Sequence, residues 1–143
     1  MSAQYVRDAF REVVPPLLTD ESFAYFESVN DAHATKELPP RWFTLDFVAP
    51  QDGPAALGQP QLFREQGTCV IAIFTTQDIQ DTEGVRAAEI VRQELVHYMK
   101  ADAGGNFLRV LDCGPPTDAD GGDFRGAWYV LTVDVRYAFD RMA

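Results

Sequence analysis

Near the start of the chain, apolar residues recur at spacings of three and four. Val6, Ala9, Phe10, Val13, Val14 and Leu17 fall on one side of a helix, with Arg7, Asp8, Arg11 and Glu12 on the other. Ser2 stands where a cap is needed, and Pro15-Pro16 is expected to end the helix because neither residue has an amide hydrogen to continue the ladder. A second helix is expected from Thr82, with Glu83 in its first turn, an inner stripe of Val85, Ala88, Val91, Leu95 and Tyr98, and Gly104-Gly105 as its end.

Elsewhere the period is two. Phe43, Leu45 and Phe47 alternate with Trp42, Thr44 and Asp46 in a strand over Arg41–Val48. Over Leu62–Thr75, both Cys69/Ile71/Ile73 and Val70/Ala72/Phe74 are apolar, which predicts a central strand covered on both faces. A third strand is expected over Asn106–Asp112. The clearest strand runs from Ala127 to Phe139, where Tyr129, Leu131, Val133, Val135, Tyr137 and Phe139 alternate with Trp128, Val130, Thr132, Asp134 and Arg136. At about 12 residues it is twice the usual strand length, so it is expected to project past its neighbours or to pair with a second sheet or subunit. The order helix, strand, strand, helix, strand, strand predicts a single α+β domain over residues 1–143, with a mixed or antiparallel sheet of about four main strands under two helices. Thr19–Pro40 is ambiguous between a short helix and a strand. Ala49–Gln61 and Gly114–Gly126 are rich in turn residues and read as loops, so 19–40 and 49–61 are expected to be irregular arms.

Composition narrows the function. Twelve Lys and Arg stand against 22 Asp and Glu, a net charge of −10. The cations are spread thinly, so a groove tracking nucleic-acid phosphates is disfavoured. No apolar run is long enough to span a membrane, and the N-terminus lacks a signal-peptide pattern, so an intracellular protein is expected. The two cysteines, Cys69 and Cys113, make no disulfide framework and lack zinc-site spacing; free thiols are expected.

Catalytic signatures are sparse. Ser2, Ser22 and Ser28 lie in no nucleophile elbow. Cys69 sits mid-strand among apolar residues, where burial suppresses the thiolate; Cys113 with His97 is the one weak cysteine–histidine pairing. His33 and His97 are too few for most transition-metal sites. The run Asp118-Ala-Asp-Gly-Gly-Asp123 departs from a calcium loop, which wants glycine where Asp123 stands and an acid where Tyr129 stands. No phosphate loop is present. The expectation is a protein without enzymatic activity and without a cofactor or metal.

One stretch carries a pattern. Leu57-Gly-Gln-Pro-Gln-Leu-Phe-Arg-Glu-Gln-Gly67 runs straight into the apolar strand Thr68–Thr75. An amphipathic helix from near Gly84, a short strand and a final strand opening at Trp128 follow, and the Arg41-Trp-Phe-Thr-Leu strand precedes. This order, with Phe63-Arg64-Glu65-x-Gly67 and Trp128, resembles the tail terminator and tail-completion proteins of long-tailed bacteriophages and prophages over roughly Trp42 to Tyr137. Thr19–Pro40 is longer than that resemblance leads one to expect.

The resemblance implies a virion protein. It would form a hexameric ring at the head-proximal end of the tail, with the tail tube protein and a head-side connector or stopper protein as partners, and would assemble in the host cytoplasm. Six copies at −10 each carry about −60, a field that repels DNA phosphates and suits a lumen DNA must pass without sticking. Trp42 and Trp128 sit on the faces opposite the regular apolar residues of their strands, where either a neighbouring subunit or a second layer of the same chain would cover them. Arg64-Glu65 at a strand entrance is a candidate ion pair, within or between subunits. Trp42, Phe63, Arg64, Glu65, Asp118, Asp120, Asp123 and Trp128 are therefore the candidate contact residues. The competing readings are a head-completion or neck protein of the same joint, and a small intracellular ligand-binding or enzymatic domain with Thr19–Pro40 as a lid.

Overall fold

The computed structural model describes residues 4–27, 38–54, 62–76, 82–118 and 128–142, with backbone alone over 49–54 and at 62, 118 and 142. Helix α1 spans Gln4–Thr19 and α2 spans Thr82–Leu95. The strands are β1 (Ala24–Phe26), β2 (Arg41–Pro54), β3 (Leu62–Thr76), β4 (Met99–Ala101), β5 (Phe107–Cys113), β6 (Thr117–Asp118) and β7 (Trp128–Met142). They form one mixed sheet in the order β1-β2-β3-β7-β5-β4, with β6 also on β7. The α+β class and the two helices are as expected. The four long strands are joined by three short ones, and β1, parallel to β2, makes the sheet mixed.

Both helices lie on one face. That face takes the odd-numbered positions of the long strands: Phe43 and Leu45 of β2, Cys69, Ile71 and Ile73 of β3, and Val133, Val135, Tyr137 and Phe139 of β7, all in one core with Val6, Ala9, Phe10, Val14 and Leu18 of α1. Phe10 meets the rings of Phe47, Tyr98 and Tyr137, and Tyr5 stacks on Phe139 at 5.1 Å. Each such apolar side chain contributes about 1.5–3 kcal/mol on burial, so this face fixes the fold.

Helix α1 does not stop at its prolines. It runs through Pro15 and Pro16 to Thr19, and Leu18 rather than Leu17 enters the core. A cap after the prolines holds it. The amide of Phe23 donates to the Leu18 carbonyl and that of Ser22 to Thr19, while Ser22 takes a left-handed φ of 69°. This is a Schellman closure, with Phe23 and Leu18 supplying its apolar contact. Glycine is the usual residue there, because a Cβ is strained at positive φ. Ser22→Gly is therefore expected to raise stability by about 0.5–1 kcal/mol in urea denaturation; a loss would show that the serine side chain does more than tolerate the turn.

Helix α2 ends at Leu95, well before Gly104-Gly105. Those glycines belong instead to the β4–β5 hairpin, where Asp102 accepts hydrogen bonds from the Gly104 and Asn106 amides and from Asn106 Nδ2. The donors from Asn106, its side chain above all, hold the Asp102 carboxyl below its ordinary range. The buried residues of α2 are Gly84, Ala87, Ala88, Val91 and Leu95, whereas Val85 is exposed. Close approach selects the small residues: a Cβ on Gly84 would stand 3.2 Å from Leu131 Cδ1.

Ala49–Gln61 is only partly a loop. β2 continues to Pro54 through an irregularity between Val48 and Gln51, and Gln51 to Pro54 pair with Gln66 to Phe63. Pro50 falls in the irregular stretch, where a missing amide hydrogen breaks no regular rung. β7 does not outrun its neighbours. It pairs with β3 along its whole length, from Leu62↔Met142 to Thr76↔Trp128.

Candidate functional site

On the face of the sheet away from the helices, even-numbered positions line up in register: Trp42↔Phe74↔Val130, Thr44↔Ala72↔Thr132 and Asp46↔Val70↔Asp134. The first row closes into a second, smaller core. Trp42 is fully buried, stacked on Phe74 at 3.8 Å, with Phe26 and Trp128 edge-on at 5.5 and 5.8 Å. The two tryptophans are thus brought together, but Trp42 has no surface left to offer a neighbour. The covering layer comes from this chain. Further along the same face, Asp46 and Asp134 are exposed on either side of Val70, which leaves the middle of the sheet open and acidic.

Arg64 and Glu65 do not act as one pair, because neighbouring strand residues point to opposite faces. Arg64 makes a two-pronged bridge to Asp140 of β7, Nε to Oδ1 at 2.7 Å and Nη2 to Oδ2 at 3.0 Å, which pushes its guanidinium further up. Glu65 is 3 % exposed, on the helix side, and accepts a 2.8 Å hydrogen bond from the Tyr137 hydroxyl. Both partners are intramolecular. Phe63 lies under the Arg141 guanidinium at 5.5 Å. Asp118 ends β6 opposite Leu131, and Asp120 and Asp123 lie outside the described residues, as does His33. The candidate contact residues that are described therefore divide among the aromatic end of the open face, the β3–β7 junction and the far side of β7.

One concavity among the described residues escapes sequence reasoning. Two adjoining clefts, with volumes of about 210 and 450 Å³, lie between the C-terminal end of α2 and β5. Val96, Met99, Val110, Leu111 and Cys113 give the larger one an apolar lining, beside His97, Arg109 and Asp112. A faint signal existed in the sequence: Met99 and Leu111 fit neither the helix stripe nor the strand alternation. Arg92, which lines the smaller cleft, is bridged to Glu89 at 2.9 Å.

His97 and Cys113 both line the larger cleft. Burial, however, pushes the Cys113 thiol up, away from the thiolate a nucleophile needs, and the cation that pulls it back is Arg92, not His97. Cys69 is fully buried and its thiol is pushed up strongly, again by burial. Cys69 and Cys113 flank Val135 on the two sides of β7. That separation is two strand spacings, about 10 Å, beyond the ~7 Å limit for a disulfide. Both thiols are free.

No three His, Cys, Asp or Glu side chains converge as metal ligands among the described residues, and no helix there is long and apolar enough to cross a membrane. The chain matches no protein-family model and no curated protein.

Proposed function

We propose that this chain is a structural subunit that assembles into a ring at the head-proximal end of a bacteriophage tail, ending growth of the tube and joining it to the head connector. The observation that carries this reading is the ladder formed by β2, β3 and β7. These strands have 14, 15 and 15 residues and are paired almost throughout. At about 3.3 Å per residue the longer two reach about 50 Å. A compact chain of this size has a radius of gyration of about 14–15 Å, hence a diameter of about 37 Å. The subunit is therefore built around an element longer than a globule of its mass requires, as suits a protein that reaches its neighbours. The acidic open face, with Asp46 and Asp134, suits a surface past which DNA moves without binding. The resemblance in element order supplies the place in the virion.

Electron microscopy of the purified chain, alone and with tail tube protein, tests the proposal. Closed rings and tubes capped at one end are expected. A chain that stays monomeric with tube protein present, and leaves tube length unchanged, would overturn it. Rings that bind the connector but never the tube would place the chain on the head side of the joint.

A further inference from the structure

We propose that the groove between the end of α2 and the outer edge of β5 is a socket for an extended, carboxylate-bearing segment of a second copy of this chain. Three of the six large apolar side chains exposed among the described residues gather here: Val96 at 42 %, Met99 at 64 % and Leu111 at 40 %. The ladder slips by one residue between Val110 and Asp112, and this bulge leaves the Leu111 side chain exposed at the groove.

The backbone adds a second reason. β4 pairs with β5 only over Phe107–Arg109, and the Val110 amide donates to the Tyr98 carbonyl. Beyond that point, Leu111–Cys113 has no strand on its outer side among the described residues. An extended segment laid along this edge would complete its hydrogen bonds and cover the apolar lining together.

Charge identifies the occupant. Arg109, across the ladder from Met99, has its guanidinium 5.9 Å from the Phe107 ring and bridges no carboxylate among the described residues. Asp112, which also lines the groove, is bridged to Arg136, so a segment settling there meets Arg109 as the cation without a bridge. A chain with 22 acidic residues against 12 basic ones supplies the matching carboxylate from a second copy. Groove-to-groove pairing about a twofold would bring like charges together, so the socket takes a different surface of the second copy, and repeated head-to-tail such a contact closes a ring when the rotation per subunit allows. The inference rests on the ring reading for closure, and not for the contact itself.

Cys113, half-buried in the groove, reports occupancy, and buried Cys69 is a silent internal reference. The experiment is maleimide labelling across a range of protein concentration, with native mass measured on the same samples, for wild type, Arg109→Glu, Leu111→Asp and the control Tyr129→Ser. Wild type and control should associate, and Cys113 labelling should slow as they do. The two groove variants should lose association and label at one rate throughout. Wild-type protein that stays monomeric, groove variants that associate like wild type, or wild-type Cys113 labelling that ignores association would each overturn the socket. The wild-type labelling needs no variant to fold. Association through the groove into dimers or open chains, with no closed ring, would leave the socket standing and sink the ring.

Discussion

Replacing Trp42 with alanine is expected to destabilise the isolated subunit by about 3–5 kcal/mol, the usual range for emptying a buried aromatic site. Trp42 is fully buried, stacked on Phe74 at 3.8 Å with 2° between the ring planes, and held edge-on by Phe26 and Trp128. Aromatic pairs of this kind add about 0.5–1.5 kcal/mol each beyond the area they bury. A domain has only about 5–15 kcal/mol in total, so the loss removes roughly a fifth of it or more. The transition should move to lower urea with its slope unchanged, because the extent of unfolding is the same. Circular dichroism is the better probe, since Trp42 is one of only two tryptophans. The result separates two roles. If the monomer keeps its stability while association is lost, Trp42 works between subunits in a second conformation. If stability falls as expected, its position on the strand reflects a second layer of the same chain.

That ambiguity was built into the sequence. Period-two alternation placed Trp42 and Trp128 on the face away from the main core, and there they are. Alternation says which face a residue takes and nothing of what covers it. The same limit explains the short strands. β1, β4 and β6 have three, three and two residues, below the length at which a period can be read. Pro15-Pro16 predicts the end of α1 because proline removes a donor, and Pro50 lies in the stretch that reads as a loop. In α1 that loss is outweighed by the burial of Leu18 and the Schellman closure at Ser22; in β2 it falls in a bulge. The spacing of the stripe puts Val85 on the inner face of α2, whereas a helix seated close on a sheet buries Gly84, Ala87 and Ala88. The groove is only faintly legible for a related reason. Val96, Met99 and Leu111 come from a turn, a short strand and a bulge, and only the fold makes them neighbours.

The second large effect lies where β3 meets the end of β7. Arg64 faces Asp140 directly across the ladder, on the open side, while Glu65 turns inward to Tyr137. A slip of one residue would carry Glu65 to the open face and Arg64 into the core, so the two pairs lock the register together. They should not count equally. The Arg64 side chain is 34 % exposed, and solvent screens its bridge; Arg64→Met should cost about 1 kcal/mol or less. The Glu65–Tyr137 bond is buried and links a carboxylate to a hydroxyl, a kind worth about 1.5–3 kcal/mol. Tyr137→Phe should cost that much in the wild-type background and close to nothing once Glu65 is leucine, because removing both polar partners leaves an apolar contact of similar shape. Urea denaturation of the four proteins in this cycle measures the difference. Equal losses from Tyr137→Phe in both backgrounds would mean that the hydrogen bond contributes nothing of its own, and that Glu65 is held inside by its other contacts.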